Sequence, residues 1–175
     1  NVTDMSYLFA NTDNFNQDLE SWSGMVMSVT TMKSMFENAQ AFNQDISKWN
    51  VDNVTDMSDM FDGAFAFNTS LSDWEHKIQN VTDMSGMFAS SNYNESLADW
   101  KVSNVTDMSG MFDGSPFNQD ISNWDVSSVV DMSGMFRDSD FNQDISNWDV
   151  SNVIDMSQMF RESAFNQDIG NWNVS

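Results

Sequence analysis

Residues 104–127, NVTDMSGMFDGSPFNQDISNWDVS, decide the fold. Residues 128–151 read SVVDMSGMFRDSDFNQDISNWDVS, and residues 152–175 read NVIDMSQMFRESAFNQDIGNWNVS. Three copies in register make a tandem repeat, and a unit of this size buries its apolar face only by stacking on its neighbours. Outward from these copies, tryptophan marks the period at Trp22, Trp49, Trp74, Trp100, Trp124, Trp148 and Trp172. An aromatic stands seven residues before each one: Phe15, Phe42, Phe67, Tyr93, Phe117, Phe141 and Phe165. The chain divides into seven units at 1–27, 28–52, 53–79, 80–103, 104–127, 128–151 and 152–175, with nothing left over. The constant seven-residue step reads as the rigid part. The variable steps, after each Trp and between that aromatic and the Phe that closes the Met-rich stretch (Phe9, Phe36, Phe61, Phe88, Phe112, Phe136 and Phe160), read as loops.

Within one unit, Val105, Met108, Met111 and Phe112 recur at helical spacing, with Asn104 placed to cap and Gly114 to end a short helix. Ile121, Trp124 and Val126 follow the L-x-x-L-x-L spacing of a leucine-rich repeat, which predicts a short parallel strand. The expected fold is therefore an α/β solenoid, leucine-rich-repeat-like, with seven stacked units of one strand and one short helix each. The seven tryptophans and most of the 15 methionines are expected in its core.

The net charge of −21, from 6 basic and 27 acidic residues, argues against a nucleic-acid partner, which needs clustered Lys and Arg. There is no cysteine, so disulfides and thiol chemistry are excluded. No apolar run approaches the roughly 18 residues of a membrane span, so no membrane insertion is expected.

The motifs NVTDMSGMF at 104–112, FNQDISNWDVS at 117–127 and 141–151, and FNQDIGNWNVS at 165–175 resemble those of the BspA-like leucine-rich-repeat surface proteins. The resemblance extends over all seven units. The first departs from it after Trp22 and the third between Asn68 and Ile78. It implies an extracellular or cell-surface location, a role in adhesion or envelope material, and no catalytic residues.

Asn-x-Ser/Thr sequons occur at Asn1, Asn53, Asn68, Asn80, Asn94, Asn104 and Asn173. They make N-linked glycans an expected partner. Four belong to the NVT stretch, where the asparagine also suits helix capping; Asn68, Asn94 and Asn173 lie outside it. Two acidic columns follow from the period. Asp4, Asp56, Asp83, Asp107, Asp131 and Asp155 form one. Asp18, Asp45, Asp120, Asp144 and Asp168 form the other, in which Asp120, Asp144 and Asp168 are weak calcium candidates. The local alternative is that the first column meets helix N-termini and the second accepts turn hydrogen bonds in Asn-Gln-Asp, and no cofactor is otherwise expected. A threonine column suited to ice stops at Val130 and Ile154. The one histidine, His76, sits in a loop, and no Ser-His-Asp set or phosphate loop is legible.

Both ends open directly into the repeat, and joining Ser175 to Asn1 preserves the register: NWNVS-NVTDMSYLF is a correct unit. The expected function is a non-enzymatic extracellular structural protein of a glycosylated fibre or cell envelope. Its partners would be copies of itself, or adjoining repeats of a longer chain, stacked head-to-tail. The alternative is a surface adhesin that binds a host, matrix or glycan partner.

Overall fold

The computed structural model describes all 175 residues. Its units are stacked, but not as an α/β solenoid, and the leucine-rich-repeat-like expectation is overturned. There is no α-helix and no sheet. Regular structure is limited to three single 3₁₀ turns, Glu20–Trp22, Val26–Ser28 and Ser72–Trp74. To these is added one parallel bridge per junction, running through Asp4, Thr31, Asp56, Asp83, Asp107, Asp131 and Asp155.

The expected helix fails for a reason visible in its hydrogen bonds. The N–H groups of Met108, Gly110, Phe112 and Gly114 donate across to the carbonyls of Asp131, Ser133, Met135 and Arg137 in the next unit, at 2.8–3.0 Å. The N–H groups of Met111, Asp113 and Ser115 close tight turns onto Met108, Gly110 and Phe112. Alternate donors thus leave the unit, and every N–H of the stretch is satisfied without a helix. An isolated two-turn helix is marginal in water, because its nucleation cost is spread over few bonds. An identical neighbour in register offers a carbonyl to every second donor instead.

The turns need a left-handed residue at two positions per unit. These are Tyr7, Ser34, Asp59, Gly86, Gly110, Gly134 and Gln158 in one column, and Asn11, Asn38, Gly63, Ser90, Gly114, Asp138 and Glu162 in the other, all with φ between 48 and 65°. Nine of the fourteen are not glycine, so the stacking bonds outweigh a backbone cost of about 1–2 kcal/mol at each. Gly114 therefore shapes a turn and does not end a helix.

The predicted strand is also displaced. Ile121 to Val126 forms a turn, with the Trp124 N–H on the Ile121 carbonyl at 3.1 Å. The parallel bridge lies in the stretch expected to be helical, at the Asp107 column.

Forty-six buried apolar residues form one continuous core. Phe112 stacks on Phe117 of its own unit at 4.0 Å, and on Phe88 and Phe136 of its neighbours at 5.8 Å. Trp49, Trp74, Trp100, Trp124 and Trp148 are buried; Trp22 and Trp172, in the outermost units, are half-buried. Each indole from Trp49 to Trp172 donates to a carbonyl of the preceding unit, those of Leu19, Ile46, Leu71, Leu97, Ile121 and Ile145 in turn.

Candidate functional site

The first left-handed column carries side chains in units one to three, then glycine at Gly86, Gly110 and Gly134, then Gln158. Three missing side chains in a row open a trough of about 480 Å³ across the stack. Ser85, Ser109 and Ser133 line it with the glycines, Asp59 and Gln158 lie at its two ends, and Ala89, Asp113 and Arg137 also border it. A Cβ at Gly110 would meet nothing within 4 Å, so the trough is open at its centre.

Charge along this flank is uneven. The residue after each Met-stretch Phe is Glu37, Asp62, Ala89, Asp113, Arg137 and Arg161 from the second unit to the seventh. Burial, and then the nearby charges of Asp59, Glu37 and Asp113, push the Asp62 carboxyl up to about 6. Asp59 is likewise raised by burial, opposed by the Lys33 ammonium 3.8 Å away. Arg137 forms a two-pronged ion pair with Asp113, its Nε 3.0 Å from Oδ1. The hydroxyls of Ser85 and Ser109 donate to Asp83 and Asp107 at 2.7 Å. The trough thus offers a polar floor of small residues with acids toward one end and a guanidinium toward the other. Such a surface suits a hydrogen-bonding ligand.

The sequence-derived candidates lie elsewhere. Asp120, Asp144 and Asp168 each accept the N–H two residues on, from Ser122, Ser146 and Gly170, at 2.9 Å. These backbone bonds hold Asp120 and Asp144 below the usual carboxylate range. The other acidic column does the same, Asp107 holding the Ser109 N–H at 2.9 Å. Nowhere do three or more His, Cys, Asp or Glu side chains converge as a metal cage. His76 is exposed beside Glu75. The Thr30, Thr55, Thr82 and Thr106 hydroxyls donate to the preceding threonine's carbonyl.

Among the sequons, Asn53, Asn80 and Asn104 point Nδ2 at the carbonyl just before the preceding unit begins. Asn68 and Asn94 instead present Oδ1 to the following one. Asn1 is exposed, and so is Asn173, whose Oδ1 accepts the Ser175 hydroxyl at 2.6 Å.

Sequence reasoning missed the trough and the side-chain ladder through Asn16, Asn43, Asn68, Asn94, Asn118, Asn142 and Asn166. In that ladder each Oδ1 takes the next asparagine's N–H at 2.8–3.0 Å. The asparagine before Gln-Asp in unit after unit was the available signal for the ladder. For the trough it was the run of Ser-Gly pairs at 85–86, 109–110 and 133–134.

No curated protein and no solved structure matches the chain. Two overlapping stretches, residues 1–97 and 82–175, match the family described as "Mycoplasma protein of unknown function, DUF285", and together they cover its whole length. The chain belongs to this DUF285 family of repeat proteins.

Proposed function

We propose that this chain is a non-enzymatic structural repeat protein of the cell surface or extracellular space, a section of a fibre or envelope assembly built by head-to-tail stacking. The observation that carries this reading is the sameness of the junctions. From one unit to the next the same set recurs: alternate backbone bonds, an indole-to-carbonyl bond and an asparagine-to-backbone bond. A set that repeats from unit to unit extends in one direction, whether the next unit is further along the same chain or in another copy, and builds an open rod wherever the rotation per unit does not close a ring. At about 4.8 Å per unit, seven units make a rod of roughly 34 Å. The motif resemblance to BspA-like surface proteins supports a place outside the cell.

Cryo-electron microscopy of material from the natural source tests it. Extended filaments at the cell surface, with the unit repeated along the axis, are expected. Discrete particles confined to the cytoplasm would overturn the reading.

The trough favours a second reading, a surface recognition module or adhesin, because a concave polar flank across several units is where repeat proteins hold partners. Filling it with Gly110→Gln and Gly134→Gln would abolish attachment of cells or beads coated with the chain if that reading holds. Unchanged attachment would reject it.

A further inference from the structure

Five of the seven sequons fall into two groups that the fold treats oppositely. In Asn53, Asn80 and Asn104 the amide nitrogen is spent: Nδ2 donates at 2.7 Å to the carbonyls of Met27, Asp52 and Gln79, each the residue just before the preceding unit begins. Asn152 makes the same bond to Ser127 at 2.8 Å, although Ile154 denies it a sequon. The asparagine of this column therefore clasps two units together whether or not a hydroxyl follows.

Asn68 and Asn94 belong to the other asparagine ladder, which uses the oxygen. Oδ1 of Asn68 accepts the Asn94 N–H at 2.8 Å, and Oδ1 of Asn94 accepts the Asn118 N–H at 2.9 Å. Nδ2 of Asn94 makes no hydrogen bond and is not fully buried, and Nδ2 of Asn68 reaches only Glu95, at 3.3 Å. A second difference coincides with this one. In other units the ladder reads Asn-Gln-Asp, and the aspartate ties the following turn firmly, as Asp45 and Asp120 do at 2.9 Å. In the third and fourth units the aspartate is replaced by Ser70 and Ser96, which hold the same turn at 3.3 and 3.4 Å. The sequon hydroxyl appears where the local tie is loosest and the amide nitrogen is not clasped to a backbone carbonyl.

We infer that Asn68 and Asn94 are N-glycosylation sites of this chain, side by side on adjoining units, and that the fold withholds Asn53, Asn80 and Asn104. The inference rests on the proposed extracellular placement, where a glycosyl donor is met. In the transfer, the bond between the sugar C1 and the phosphate oxygen of a lipid-diphosphate-linked oligosaccharide breaks. A bond from C1 to Nδ2 forms, Nδ2 loses one proton, and the lipid diphosphate leaves. To attack, the nitrogen must turn out of conjugation with its carbonyl, and a nitrogen clasped to a neighbouring unit must first release that bond.

The test is transfer in vitro, with purified single-subunit oligosaccharyltransferase and a lipid-diphosphate-linked oligosaccharide. The folded 175-residue chain and the same chain unfolded in mild denaturant serve as acceptors, and occupancy is read per site by mass spectrometry. In the folded chain, Asn68 and Asn94 are expected to exceed Asn53, Asn80 and Asn104 by about fivefold or more, the equivalent of one hydrogen bond. Unfolding is expected to erase the difference. Equal occupancy of both groups in the folded chain would overturn the inference, as would bare Asn68 and Asn94 in a folded chain whose unfolded form accepts sugar. Because native location plays no part in the assay, its outcome is separate from that of the filament experiment.

Discussion

Replacing Trp124 by phenylalanine tests whether the indole bonds hold unit to unit. The ring is buried, and its Nε1 lies 2.9 Å from the Leu97 carbonyl of the preceding unit. Phenylalanine keeps the ring contact with Phe112, now at 6.4 Å, but removes that donor. The Leu97 carbonyl keeps the Trp100 N–H at 3.1 Å, so it is not orphaned, and the lost bond is worth about 1 kcal/mol. The missing pyrrole edge leaves a void on the order of 40 Å³, which adds about 1 kcal/mol at roughly 24 cal/mol per Å³. The sum is about 2 kcal/mol. With a slope of about 2 kcal/mol per M in urea, the unfolding midpoint falls by about 1 M.

Trp22 supplies the internal control. It closes the same kind of turn onto Leu19, yet it is half-buried and its indole has no carbonyl to meet. Trp22→Phe should therefore cost about 0.5 kcal/mol, or roughly a quarter of the midpoint shift. The assay is urea unfolding followed by near-ultraviolet circular dichroism. Equal shifts for the two variants would refute the claim that the indole bonds hold unit to unit.

Tyr93→Phe should stabilise the chain by about 1 kcal/mol, read as a rise in Tm. The hydroxyl is buried without a hydrogen-bond partner, the nearby Leu71 carbonyl already holds the Trp74 N–H and the Trp100 indole, and the other units carry Phe there. Asn118→Ala strips the acceptor from the Asn142 N–H and the Gln143 amide, costing about 1–3 kcal/mol by urea titration, whereas Asn118→Asp keeps an oxygen in place and loses much less. Gly63→Ala should destabilise more than Gly110→Ala, because both sit at positive φ but only at Gly63 would the new Cβ collide with Asn38; equal losses of Tm would contradict this. The raised Asp62 carboxyl means that the folded chain holds this proton more tightly than the unfolded chain. Its contribution is present below pH 3.8 and is lost as pH rises toward about 6. Asp62→Asn should raise the urea midpoint at pH 7.5 and leave it unchanged near pH 3.5.

Periodicity was legible because an array repeats its buried positions. Val105, Met108, Met111, Phe112, Phe117, Ile121, Trp124 and Val126 all stand out in the sequence, and all are buried in the structure. The conformation of those positions was not legible. An i, i+3, i+6, i+7 pattern satisfies a helix, but it also satisfies a chain of tight turns whose alternate donors leave for the next unit. Apolar spacing records which side chains point inward and carries no record of which carbonyl an N–H will find. The Ser-Gly pairs and the Asp, Asn and Ser residues that share their columns were the local sign of left-handed turns.

By itself, then, the sequence determined the repeat, its boundaries, the inward-facing residues, the acidic surface and the positions of the sequons. Each is a property of residue identity and spacing. Only the tertiary structure decided that the Met stretch runs in turns and not in a helix, because half of its hydrogen bonds end in another unit about 24 residues away. It also decided where three glycines stack to open a trough. The same stacking separates the asparagines that give a nitrogen to a neighbour from those that give an oxygen, because that choice depends on which side of the junction each side chain faces.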